Sequence, residues 1–340
     1  MNTLEFRFLT DGGQAPDSVT AELSTFISEA ARSLDVAIYD FHARQGSTAG
    51  IAEALEAAVR RGVAVRVVFD SEHTAAPGAP RPMAGDPALI DGLAVPTRAA
   101  RGDAALMHHK YAVRDGHDVW TGSTNWTDDA FSREENVVLK VAEPGIAAAF
   151  SANFSQLWET GRIDHSGGTG PEARLDGGVV VRPFFSPRGP SLAHVVAERL
   201  GSSPGRIRLL SPVVTSGAIL GTLAVLAGRH SFDLEGAYDR TQMDEVIHEW
   251  RGLPQNAWKI EAWQVIAARL SGKTSTPYRT GSVHDYMHAK LAVVDGEVLT
   301  GSYNCSRHGE GNAENLLHIS GGEVADQFAA FAETIARRYA

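Results

Sequence analysis

Two histidines, each followed two residues on by a lysine, recur 180 residues apart: His108 with Lys110, and His288 with Lys290. The first pair is trailed by Asp115, Gly122-Ser123, Asn125 and Glu135-Asn136. The second is trailed in the same order by Asp295, Gly301-Ser302, Asn304 and Glu314-Asn315. Such a set suits attack on a phosphodiester, whose anionic oxygens repel nucleophiles and whose alkoxide leaves poorly. One imidazole can supply the nucleophile and form a phosphohistidine. The other, protonated, can donate to the leaving oxygen and then take a proton from water. Lys110 and Lys290, Asn125 and Asn304, and Ser123 and Ser302 can hold phosphate oxygens and stabilise charge in the transition state. Each repeat supplies one of each, so a complete site requires both.

The flanking segments must position these groups. A strand from His108 to Val113 carries His108 and Lys110 on one face, since side chains two apart point the same way. Asp115-Gly116 reads as a turn, which accounts for Asp115, and equally Asp295, without any chemistry. Upstream, the pattern predicts strands at Leu4–Leu9, Asp35–Phe41 and Val63–Phe69, with helices from Asp17 to Arg32 and from Ile51 to Arg61. Pro144 to Trp158 closes the half as a helix. The strand–helix–strand rhythm predicts parallel pairing with right-handed crossovers.

The order then repeats, with strands at Val179–Phe185, Arg206–Leu210 and Phe232–Tyr238 and helices at Ser191–Leu200 and Ile219–Ala227. Asp70 and Asp239 stand at matching strand ends. Residues 1–163 and 179–340 form the two units, and the Gly-rich run 164–178 is the linker between them. A repeat this long is no solenoid. It predicts an α/β fold of two tandem α-β-α units arranged as a pseudo-dimer, with the site at the interface on the approximate two-fold axis. A monomer then suffices for activity. The stretch between Asp239 and His288 is longer than that between Asp70 and His108, and is the place to seek substrate selection or a lid.

With these motifs in hand, the chain resembles the phospholipase D superfamily with its paired HKD motifs. GSTNWT with EEN in the first half, and GSYNCS with AEN in the second, look most like the Nuc-type endonuclease and mitochondrial cardiolipin hydrolase branch. The resemblance implies a metal-independent phosphodiesterase without cofactor, with His108 as nucleophile and His288 as acid. It also implies that Glu135 and Glu314 accept hydrogen bonds from the catalytic histidines, fixing their tautomers, while Asn136 and Asn315 are structural. A nuclease acting on DNA or RNA is the expectation. A phospholipase D or phosphatidyltransferase is the alternative, and a silent binding protein a third class.

Composition bounds these readings. The 340 residues are 43% hydrophobic and 21% charged, ordinary for a globular protein. A net charge of −10 gives no support to broad nucleic-acid binding. Local basic loops at Arg81, Arg98 and Arg101, and at Lys273 and Arg279, leave a basic groove open. The single cysteine, Cys305, excludes an internal disulfide and suggests a reducing compartment. The N-terminus lacks a secretory signal, and the longest apolar stretch, Val213 to Ala227, is broken by Ser216, Gly217 and Gly221; a cytoplasmic location is expected. His109, His117, His284 and His308 lie near the motifs without metal-ligand spacing. Trp126 and Tyr303 are expected to pack in the core.

Overall fold

The structure, a computed structural model, describes all residues except 44, 71–89, 91, 203–204, 230–231 and 280–281. The Pro/Gly-rich segment from Ala75 to Pro87, with Arg81, lies outside the described residues.

The first half runs β1 (Thr3–Leu9), α1 (Pro16–Ser28), β2 (Ser33–Ile38), α2 (Ala49–Arg60), β3 (Ala64–Asp70) and β4 (Thr97–Ala100). It continues through β5 (Lys110–Arg114), β6 (Asp118–Gly122), the short α3 (Asp128–Ser132), β7 (Asn136–Ala142) and α4 (Pro144–Thr160). Short strands β8 (Gly168–Thr169) and β9 (Ala173–Arg174) follow, so the segment read as linker contributes strands that pair with the second sheet. The second half runs β10 (Val180–Phe185), α5 (Leu192–Ser202), β11 (Arg206–Ser211), α6 (Gly217–Ala227) and β12 (Asp233–Asp239). After α7 (Arg240–Arg251), α8 (Ala257–Ala267) and β13 (Ser271–Lys273) come β14 (Leu291–Val294), β15 (Glu297–Gly301), β16 (Asn315–Ser320) and α9 (Gly322–Arg338).

The two sheets match strand for strand. The first has the order β1-β7-β6-β5-β2-β3-β4. The second has β13-β12-β11-β14-β15-β16-β10-β8, the same succession read backwards with β8 added. β2 pairs parallel to β3, and β11 to β12, as the strand–helix–strand rhythm requires. Helix α1 ends earlier than its apolar pattern suggests. The backbone N–H groups of Ala31, Arg32 and Ser33 bond the carboxylate of Asp115, which pulls the chain out of the helix and into β2.

Three apolar layers hold the molecule together. One lies between the first sheet and α1–α2, and one between the second sheet and α5, α6 and α8. The third lies between the sheets, where α4 and α9 are sandwiched, and draws residues from both halves. There Phe8 of β1 stacks on Phe331 of α9 with ring centroids 4.3 Å apart, and Phe150 of α4 meets Phe185 of β10 edge-on at 4.9 Å. Each half thus lends a helix or strand to the core of the other. Burying a phenylalanine in this way contributes roughly 1.5–3 kcal/mol, so the halves are bound by a shared core and not by the linker alone.

Candidate active site

The histidine–lysine segments approach each other where the sheets meet. Immediately before His108, Met107 pairs with Ala313 of the other half; immediately before His288, Met287 pairs with Glu135. Buried carboxylates fix both approaches. Asp70 accepts from the Met107 N–H at 2.6 Å, and Asp239 from the Met287 N–H at 3.1 Å. That is the purpose of the two matching strand-end aspartates: each anchors the residue next to a motif histidine.

His108 lies two residues before β5, so the strand expected to begin at that histidine starts at Lys110, and His288 lies three residues before β14. Lys110 and Lys290 are buried, and each Nζ donates to the carbonyl of its own histidine. Lys110 also lies 4.6 Å from the centroid of the Tyr39 ring, against which His108 packs edge-on at 4.8 Å. Burial, opposed by the Glu314 charge, pulls the Lys110 ammonium down to about 7. Burial, followed by the Lys290, Lys110 and His108 charges, pushes His288 well below the usual imidazole range. Burial and the Lys110 charge likewise lower Lys290, so the two motifs lie within each other's electrostatic reach.

Each histidine is oriented from across the interface, with different chemistry. His108 Nδ1–H donates to Glu314 Oε2 at 2.9 Å. His288 Nδ1–H donates to Asn136 Oδ1 at 3.1 Å. The orientation of that amide is determined: its Nδ2 donates to Ala130 O and to Glu134 Oε2, and its Oδ1 also accepts from Ser123 Oγ. Glu134 Oε2 lies 3.2 Å from His288 Nδ1. Burial pushes the Glu134 carboxyl up to about 8 and that of Glu314 to about 7.

Sheet register explains the asymmetry. Gly122 pairs with Val138 and Gly301 with Leu316, so Asn136 occupies the place of Glu314, and Glu134 that of Asn312. Asn312 Nδ2 indeed donates to Glu314 Oε1, mirroring Asn136 and Glu134. The two halves carry E-x-N and N-x-E at equivalent positions. The two glycines are required here, because a Cβ would meet the facing backbone carbonyl oxygen of Val137 at 2.1 Å or of Asn315 at 2.4 Å.

This corrects three sequence expectations. Glu135 does not touch a histidine. It is buried against Lys273, Oε2 to Nζ 2.8 Å, and accepts from the Tyr339 hydroxyl. Asn136, expected to be structural, holds His288 instead. Aligning the shared Glu-Asn dipeptides hid this, because the segment around α3 is one residue longer than its counterpart, and only the sheet register exposes the slip. Ser123 and Ser302, expected on phosphate, are fully buried behind Asn136 and Glu314, bonding their side chains at 2.7 and 2.6 Å.

Asn125 and Asn304, expected on phosphate, come together at one cavity. Both line a cavity of about 330 Å³ together with His288, Tyr39 and Glu134, and both present a buried Oδ1 without a hydrogen-bond partner among the described residues. Asp115 and Asp295 sit at positive φ, 55° and 53°, in the turns after the motif strands. Their carboxylates cap backbone N–H groups at the start of β2 and β11. Of the basic loops, Lys273 is consumed by Glu135, and Arg98 donates to the Glu159 carbonyl. Trp126 and Tyr303 are buried as expected. Among the described residues there is no cluster of three or more His, Cys, Asp or Glu side chains that could hold a metal ion. No described helix is long and apolar enough to cross a membrane.

Comparison with known proteins gives a consistent picture. The family model described as cardiolipin synthase, PLD-like domain, matches twice, over residues 23–158 and 197–335. The mitochondrial cardiolipin hydrolase of Xenopus laevis is 36% identical over 143 residues, 42% of this chain and 62% of that protein; the Danio rerio protein of the same name is 31% identical over 140 residues, 41% and 56% of the two chains. The chain thus spans less than two thirds of the length of these curated relatives. The crystal structure of the Haemophilus influenzae phosphatidylserine synthase superposes over 98% of this chain and 86% of its own with a TM-score of 0.67 at 14% identity, a likeness of fold.

Proposed function

Because the chain belongs to the phospholipase D superfamily, we propose that it is a metal-independent phosphodiesterase working through a phosphohistidine, and that its substrate is a nucleic acid. One observation carries the mechanism: two imidazoles, one within reach of the other's charge, each held from the opposite half, one by a carboxyl and one by a carboxamide.

That difference assigns the roles. The Glu314 carboxylate stabilises positive charge on the His108 ring and leaves Nε2 with its lone pair exposed, which suits the nucleophile. The carboxamide of Asn136 fixes the ring of His288 but offers no full charge, and burial raises the neighbouring Glu134 carboxyl further than it raises Glu314. An imidazolium there is a stronger acid, which suits protonation of the leaving oxygen. An incoming phosphate anion counters the burial that keeps His288 neutral in the empty site, and so raises its proton affinity as substrate binds. Attack forms the Nε2–P bond of His108 as the P–O bond to the leaving group breaks, the proton coming from His288. Water then attacks phosphorus, yields its proton to His288 and releases His108. Lys110 and Lys290, whose ammonium forms an incoming phosphate anion favours against burial, and the side-chain amides of Asn125 and Asn304 hold the non-bridging oxygens.

The test is a substrate panel of single- and double-stranded DNA, RNA, and cardiolipin or phosphatidylglycerol vesicles, each with and without chelator. Nucleic-acid cleavage that survives chelator and is lost in His108→Ala is expected. Cleavage that requires an added divalent ion would overturn the mechanism. Turnover of vesicles alone would favour the second reading, a phospholipid phosphodiesterase, which the names of the matched relatives support.

A further inference from the structure

Part of the cavity wall is a row of aromatic rings from the second half. His284 and Tyr286 precede His288 at two-residue intervals, and all three line the cavity. Tyr278 extends the row: its ring lies 5.7 Å from that of His284, which is stacked 5.2 Å from Tyr286. The first half has no such row, because Ala104 and Leu106 stand at the equivalent steps before His108. The lining also carries Asp40, Glu134 and Glu245, and none of the described residues that line it is a lysine or arginine. A flat, uncharged ring with amino donors fits it, since aromatic faces offer stacking and the carboxylates offer acceptors.

We infer that the Tyr278–His284–Tyr286 wall stacks a nucleobase of a single-stranded substrate, and that this base belongs to the nucleoside on the leaving side of the scissile phosphate. The leaving side follows from geometry: the wall runs directly into His288, the group that protonates the departing oxygen. Single strands follow because a base within a duplex already has both faces covered and must be flipped out to reach the wall. The inference rests on the nuclease reading above and extends it to strandedness and to which arm of the diester is recognised.

The experiment uses short single-stranded DNA oligonucleotides with one abasic residue placed on either side of a single cleavage position, assayed with the wild-type chain and with Tyr286→Leu and Tyr278→Leu. An abasic residue on the leaving side should lower kcat/KM by roughly 5- to 150-fold, the factor that one stacked base is worth. On the other side it should cost little, and either leucine variant should narrow the difference. A matched duplex should be cleaved more slowly than the single strand. Equal rates for the two abasic positions in the wild-type chain would overturn the inference while leaving the nuclease reading intact, and this comparison does not depend on any variant folding. Turnover of phospholipid vesicles with no cleavage of any oligonucleotide would overturn both.

Discussion

Glu314 holds the imidazole of His108 across 206 residues of chain, Oε2 to Nδ1 2.9 Å, so neither half of the molecule contains both a motif histidine and the group that orients it. Replacing Glu314 by Gln keeps the shape and the acceptor but removes the charge. The expected result is a fall of about 10- to 100-fold in kcat, the usual penalty for losing the carboxylate behind a working histidine, with little change in KM. An unchanged kcat would show that His108 does not depend on that carboxylate.

Asn136 stands in the position of Glu314 and gives His288 a neutral partner. Asn136→Asp makes the site more symmetric and the His288 imidazolium a weaker acid. Turnover of a native diester should fall, while turnover of a 4-nitrophenyl diester, whose leaving group needs no proton, should fall much less. Equal losses on the two substrates would remove His288 from the role of acid.

Glu134 carries a pH dependence of stability. In the folded chain burial holds its proton up to about pH 8, whereas the ordinary value is 4.5. The folded state therefore binds the extra proton between these values, and stability is lost as pH rises through that window, by about 1.4 kcal/mol per unit. Glu134→Gln keeps an acceptor for Asn136 Nδ2 and has no proton to lose. Its denaturation midpoint should decline less than that of the wild type between pH 5 and 8. Parallel pH profiles would refute the assignment.

Lys273 and Glu135 form a buried pair joining the halves, Nζ to Oε2 2.8 Å. Lys273→Met leaves Glu135 without its counter-charge and should cost about 3–5 kcal/mol in denaturant titrations. Adding Glu135→Leu should recover part of that loss, which a purely steric defect at Lys273 would not allow.

Asp115 caps three backbone N–H groups from a turn at positive φ. Asp115→Ala should lower stability by about 1–3 kcal/mol, as orphaned donors do, and leave kcat/KM of the folded fraction unchanged. A kinetic defect in fully folded protein would return this motif aspartate to the chemistry.

The repeat of His, Lys and Asn, the α/β rhythm and the strand-end aspartates Asp70 and Asp239 were all legible in the amino-acid order. They are local patterns of period and identity, and each half states them separately. What faces what was not legible. Sequence similarity paired Glu135 with Glu314, but backbone hydrogen bonding in the two sheets gives Asn136 the position equivalent to Glu314 and leaves Glu135 against Lys273. A one-residue difference in loop length reverses which side chain reaches the site, because neighbouring residues on an extended strand point to opposite faces. The chain alone specified the kinds of groups available for phosphodiester chemistry. Only packing the two sheets together decided that a carboxylate serves one histidine and a carboxamide the other.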